Sequence, residues 1–267
     1  MRVAVLGAES DSAVRLEAVR GAAGSDTVVT VDVAPYANPA ELSAALPPDT
    51  GVVFSGGIVC HYEILAELAR RGIHLFLEWP PAFSVSECRN LAELAGEAGV
   101  QIGVSRPLRF HPWPTESDEA SHLEVVTVRQ ARDVRAPGEW KRAMEDAVDL
   151  VSYFARGASP RRIDAAVARS EGRLALLTIA GIRFQNGSYS QIEVRHADDG
   201  EGSTNVVLGG SGRVVTCNLD DARLPGIRLE TTAFLEAVRA NRPPQVTVLD
   251  AAQTFRLMER LMERLRQ

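Results

Sequence analysis

Apolar and polar positions along this chain follow two different rhythms. In the first, short apolar runs of strand length alternate with segments of helical period. Residues 2–6 (RVAVL), 27–33 (TVVTVDV), 52–55 (VVFS), 73–78 (IHLFLE) and 100–105 (VQIGVS) read as strands. Between them, Ser10 or Asp11 caps a helix carrying Val14 and Val19, and residues 39–46 make a short helix stopped by Pro47-Pro48. Residues 61–71 put Ile64, Leu65 and Leu68 on one helical face before Gly72, and Ser84 with Glu87 forms a capping box for a helix over 85–98. Such alternation builds a parallel sheet with helices on both faces, and ligands bind beyond the carboxyl ends of its strands. The loops Gly7–Ser10, Ser55–Val59, Glu78–Pro81 and Ser105–His111 are therefore where function is expected.

From about residue 123 the rhythm changes. Strand-like runs follow at 123–132, 173–179, 181–186, 189–196, 204–208 and 212–217, and Asn186-Gly187 signals a hairpin turn. Residues 143–155 form an amphipathic helix with Ala147, Leu150, Val151 and Phe154 inward; helices over 229–240 and 249–265 close the chain. The expected class is α/β plus α+β. A parallel-sheet domain over 1–108 precedes a domain over 109–267 with a mostly antiparallel open sheet, its C-terminal helices packing back. The crevice between two such domains is the default binding site.

Composition narrows the function. The 267 residues are 45% hydrophobic and 24% charged, which excludes disorder. Net charge is −6 with no basic block, so nucleic acid is not an expected partner. No apolar run approaches the ~20 residues that span a bilayer, and MRVAVLGAES does not read as a signal peptide. Cys60, Cys88 and Cys217 read as reduced thiols of a cytoplasmic protein, neither a disulfide framework nor a metal site. There is one lysine, Lys141, among 29 lysines and arginines, so any lysine-dependent mechanism has a single candidate. No nucleophile elbow, metal-ligand spacing or P-loop occurs.

The segment His74-Leu75-Phe76-Leu77-Glu78-Trp79-Pro80, the capped helix, QIGVSRPLRFHP and the final stretch from Thr231 together resemble the Gfo/Idh/MocA oxidoreductases. Arg109-Phe110-His111-Pro112 matches their Arg-Phe-x-Pro, and His61 matches a histidine common in the turn after the third strand. The resemblance implies a Rossmann-like domain, here shortened, joined to an open-sheet substrate domain. It also implies NAD(P) as cofactor, a small polar substrate, and a homodimer through the second domain's sheet.

Four departures fall on the chemistry. The cofactor loop reads Gly7-Ala8-Glu9-Ser10-Asp11-Ser12, with one glycine of the fingerprint and two acids where pyrophosphate would sit. Before the 52–55 strand there is room for one strand and one short helix where relatives have a strand, helix and strand, so the adenosine side is shortened; Asp32 is either a ribose-binding acid or a solvated strand end. If cofactor binding is retained, Gly7, Ala8, Glu9, Asp32, Ser55 and Gly56 would carry it. Trp79 stands where the family's Glu-Lys-Pro has its lysine, although an aromatic residue there occurs in the related biliverdin reductases. Lys141, beside Trp140, is either a substitute or a solvated helix-start lysine. Of the family's Asp-x-Gly-x-His-x-x-Asp motif only Asp149 survives, with Asp146 three residues before it on the same helical face.

The candidate catalytic residues are Asp146, Asp149, His61 and His111; those for substrate are Glu78, Trp79, Arg109, Trp140 and Lys141. The carboxylates can serve as acid and base, or form a solvated face paired with arginines. The histidines can exchange protons or make structural hydrogen bonds. Arg109 can clamp an anion or pair with Glu78. Trp79 can stack on a ring or fill space. The expectation is a protein with a degenerate dinucleotide site and a lost lysine, repurposed for non-redox chemistry, ligand binding or a protein partner. The alternative is an atypical NAD(P)-dependent oxidoreductase without a lysine acid/base.

Overall fold

The structure, a computed structural model, describes residues 2–6, 10–23, 27–31, 46, 50–54, 62–79, 84–114, 123–135, 138–170, 175–197, 202–210 and 212–266. Its contacts divide the chain into two compact units, Met1–Phe110 with Leu224–Ala252, and His111–Arg223 with Gln253–Gln267.

The first unit holds a five-stranded parallel sheet in the order β2-β1-β3-β4-β5. The strands are β1 Arg2–Leu6, β2 Thr27–Val31, β3 Thr50–Phe54, β4 His74–Leu77 and β5 Ile102–Val104. Its helices are α1 Ser10–Ala23, α2 Tyr62–Arg70, α3 Val85–Ala98 and α5 Arg223–Arg239, of which all but Arg223 belongs to this unit. The helix expected over 39–46 and the shortened stretch before β3 fall on residues outside the described ones, Leu46 apart.

Val3, Val5 and Phe76 pack on one side of the sheet with Val19 of α1 and Phe234, Leu235 and Val238 of α5. The Phe76 and Phe234 rings stack at 4.9 Å. They pass over Gly103 so closely that a Cβ there would lie 2.9 Å from both, so β5 needs a glycine at that point. α2 and α3 pack on each other and bury Leu65, Leu68, Cys88 and Leu91. The capping box of α3 forms as the sequence predicts: Ser84 accepts from the Glu87 amide at 3.3 Å, and Glu87 accepts from the Ser84 amide at 2.6 Å.

The second unit holds a six-stranded sheet, β11-β10-β6-β9-β8-β7. It comprises β6 Val125–Arg132, β7 Pro160–Arg169, β8 Ala175–Phe184, β9 Tyr189–His196, β10 Ser203–Gly210 and β11 Arg213–Asn218, with helix α4 Glu139–Phe154 between β6 and β7. All pairs are antiparallel except β6 with β9. The Asn186-Gly187 turn joins β8 to β9, with Gly187 at φ +90° and Asn186 Oδ1 accepting from the Ser188 amide at 3.1 Å. Helix α6, Val248–Arg266, begins in the first unit and runs on into the second.

Three expectations are corrected. Residues 173–179 and 181–186 are one strand, β8, because Ala180-Gly181 continues the ladder opposite Ala165-Asp164. β7 was not foreseen; arginines and small residues give it little apolar contrast, and it lies at the sheet edge, where charge prevents unwanted pairing. α4 and α5 start four and six residues earlier than the apolar periodicity suggests, at Glu139 and Arg223. In α5 the proline stands in the first turn, where it costs no hydrogen bond.

Candidate active site

Glu78 and Trp79 follow β4, and Ser105 and Arg106 follow β5, so these four residues stand side by side at the carboxyl ends of two paired strands. The Ser105 amide donates to Leu77 O at 2.8 Å and fixes the two ends together. Arg15 reaches this place from α1 and Glu230 from α5. The Arg15 guanidinium donates from Nη1 to Glu230 Oε1 at 2.9 Å, from Nη2 to Ser105 Oγ at 2.5 Å, and from Nε to Glu78 Oε1 at 3.3 Å. Ser105 Oγ donates in turn to Glu230 Oε1 at 2.6 Å, and the Arg106 amide donates to Glu230 Oε2 at 2.7 Å. Arg15 and Glu230 are almost wholly buried, at 2% and 1% side-chain exposure. Burial lifts the Glu230 carboxyl above its ordinary range, and Arg15, Ser105 and the Arg106 amide oppose that rise.

Arg106 is buried too, and its guanidinium carbon lies 3.2 Å from the centre of the Trp79 ring. A guanidinium stays protonated at every pH the protein meets. It can hold or polarise an oxygen but cannot exchange a proton with it.

Of the residues expected at the site, Glu78 and Trp79 lie in this cluster. Arg109 does not pair with Glu78. It meets Asp250 Oδ1 at 3.1 Å, and Asp250 itself accepts from the Thr247 amide at 2.8 Å, capping α6. The pairing differs because Arg15, from α1, already occupies Glu78.

In the second unit, Asp149 meets Thr254 and Asp146 meets Arg223. Asp149, 3% exposed, accepts from Thr254 Oγ1 at 3.0 Å. Asp146 lies 3.8 Å from Arg223 Nη1. Trp140 donates from its indole to Thr178 Oγ1 at 2.9 Å. Lys141 is 66% exposed and 3.6 Å from Glu145. His111 packs edge-on against Trp113 with centroids 4.9 Å apart, and burial holds its pKa below the ordinary histidine value. His61, Gly7, Ala8, Glu9, Asp32, Ser55 and Gly56 lie outside the described residues. Among the described residues, no group of three His, Cys, Asp or Glu is placed to hold a metal, and no helix is long and apolar enough to cross a membrane.

Arg15 and Glu230 escape sequence reasoning, whereas Ser105 and Arg106 stand in the loop Ser105–His111 where function is expected, without a role assigned to either. For Glu230 one signal was present. Ile227, Glu230, Thr231 and Phe234 share a helical stripe, so a carboxylate stands among core positions.

A model of an oxidoreductase family with an NAD-binding Rossmann fold, GFO_IDH_MocA, matches residues 4–106. No curated protein matches the chain. Among solved structures it is similar to a probable dehydrogenase from Thermotoga maritima, with TM-score 0.83 and 15% identity over 100% of this chain and 97% of that one. It is also similar to UDP-N-acetylglucosamine 3-dehydrogenase from Acidithiobacillus ferrooxidans, with TM-score 0.81 and 14% identity over 99% and 97%. A third is scyllo-inositol dehydrogenase from Lactobacillus casei, solved with NAD(H) and scyllo-inositol, with TM-score 0.81 and 10% identity over 100% and 97%. Residues 4–106 are therefore similar to the Gfo/Idh/MocA oxidoreductase family, and the chain folds over its full length as these dehydrogenases do.

Proposed function

We propose that this chain is a repurposed relative of the Gfo/Idh/MocA oxidoreductases, which binds a small oxygen-rich or anionic molecule at the carboxyl ends of β4 and β5 without lysine-dependent proton transfer. The observation that carries this reading is the Arg106–Trp79 stack. Where the resemblance expects a lysine, an indole lies under a permanently charged guanidinium. That pair offers a flat surface and a fixed cation, which suits holding an oxyanion or polarising a carbonyl. It offers no acid/base.

The donor set around it fits a dinucleotide poorly. A pyrophosphate needs unshared N–H donors and cations. Here Arg15 donates to two carboxylates, Glu78 and Glu230, and Glu9 and Asp11 bracket the start of α1 in the sequence. No reaction step is therefore assigned to NAD(P). The second reading, an NAD(P)-dependent oxidoreductase acting on a small polar substrate, is favoured by the family model over residues 4–106 and by relatives solved with NAD. A second copy docking on the open sheet face, where Val125, Ile179 and Val214 are exposed, is the proposed partner. The cytoplasm is the proposed location.

Thermal unfolding with NAD(H) and with NADP(H), backed by calorimetric titration, decides between the readings. A ligand at 100 times its dissociation constant stabilises by about 2.7 kcal/mol, a shift of several degrees. Flat titrations with both cofactors are expected. A clear shift with either one overturns the repurposed reading.

A further inference from the structure

The second unit carries a concentration of positive charge that the proposed function does not use. β7 opens with Pro160-Arg161-Arg162-Ile163, and α6 presents Arg260 and Arg264 one turn apart. These four arginines, with Ile163 and Glu263, line one cleft of about 260 Å³. The chain as a whole has a net charge of −6, so four cations around so small a volume stand against its general character. Two of them are held in place. Arg260 donates from Nη1 to Pro160 O at 2.9 Å. Arg162 meets Asp164 through Nε at 2.8 Å and Nη2 at 3.1 Å. Arg260 keeps Nε and Nη2, and Arg162 keeps Nη1, for an incoming acceptor. Edge protection explains charge on β7, since that strand ends the sheet. It does not explain Arg260 and Arg264, which stand on a helix.

We propose that this cleft binds a phosphate dianion, the phosphomonoester or diphosphate group of a small soluble molecule. Guanidinium forks match tetrahedral oxyanions with paired N–H donors, and anchoring two of them beforehand lowers the ordering cost of binding. The Glu263 and Asp164 carboxylates offset part of the charge of the four arginines. The volume suits one or two phosphoryl groups, which favours a small molecule over a nucleic-acid backbone.

The test is calorimetric titration of the full-length protein with inorganic pyrophosphate at low ionic strength. A one-site isotherm is expected. The double variant Arg161→Ala/Arg260→Ala, both exposed positions, should weaken binding about tenfold or more. Arg129→Ala, an exposed arginine on the sheet's open face, should leave it unchanged, and a short DNA duplex should not displace pyrophosphate. Absence of heat with the wild-type protein, equal weakening by Arg129→Ala, or displacement by the duplex would each overturn the assignment.

Discussion

Replacing Arg15 by methionine tests the idea that one buried cation organises the carboxyl ends of β4 and β5. Methionine keeps the length and apolar stem of the side chain but removes the charge and all three hydrogen bonds, to Glu230, Ser105 and Glu78. Glu230, with 1% side-chain exposure, is then left with Ser105 Oγ and the Arg106 amide. Breaking one partner of a buried ion pair costs about 3–5 kcal/mol, because the other charge stays behind uncompensated. Glu230→Gln is expected to cost less, since Arg15 keeps Glu78, which is 20% exposed and partly solvated. The double variant should lose less than the sum of the singles by about 1 kcal/mol or more.

Urea unfolding of the wild type, both singles and the double, followed by a signal from the first unit, gives the coupling. The pH dependence adds a second check. Glu230 titrates above its ordinary value of 4.5 because burial disfavours its charge. A carboxyl raised by folding contributes its stability in full below the unfolded pKa and loses it as pH rises through the folded one. Removing Arg15 raises the folded value further. The deficit of the Arg15→Met variant should therefore be smallest below pH 4.5 and widen toward neutrality. Additive losses, or a deficit flat across that range, would refute the central role of the pair.

Three further outcomes are expected. Asp149→Ala should cost about 1–3 kcal/mol by leaving the buried Thr254 hydroxyl without its acceptor, with Asp149→Asn closer to wild type; unfolding curves of the second unit measure both. His111 should titrate below 6.5 by nuclear magnetic resonance, because its burial disfavours the charged ring. Its pKa is depressed by folding, so its contribution is present above the unfolded value and is lost as pH falls through the folded one; a midpoint above 6.5 contradicts this. The Cys88 thiol, pushed up to about 12 chiefly by burial, should resist alkylation at pH 8 in the native protein and react in urea, as mass spectrometry would show.

Strand and helix periodicity carried most of the architecture. The parallel sheet, the capping box at Ser84, the Asn186-Gly187 hairpin and the change of rhythm near residue 123 all follow from local pattern. β7 did not, because a solvent-facing edge strand rich in arginine has no strong apolar alternation. The candidate site was half legible. Glu78 and Trp79 stand out as residues just past a buried strand. The partners that define their chemistry lie far away in sequence, Arg15 and Glu78 being 63 positions apart and Ser105 and Glu230 125. Only tertiary packing joins such residues. For the same reason the pairing of Arg109 with Asp250, 141 positions on at the start of α6, was not legible beside the alternatives of an anion clamp or a pair with Glu78.

Neither compact unit is a single stretch of chain. The parallel sheet of Met1–Phe110 is completed by Leu224–Ala252, which enters only after the whole six-stranded sheet has been laid down in sequence. During synthesis Val3, Val5 and Phe76 must wait more than half the chain for Phe234, Leu235 and Val238. An emerging polypeptide therefore holds an apolar sheet face open until its last helices arrive. A gene truncated at the apparent boundary near residue 110 would make that exposure permanent. Cutting this protein into working pieces requires a graft, with Leu224–Ala252 joined directly behind Phe110, rather than a stop codon.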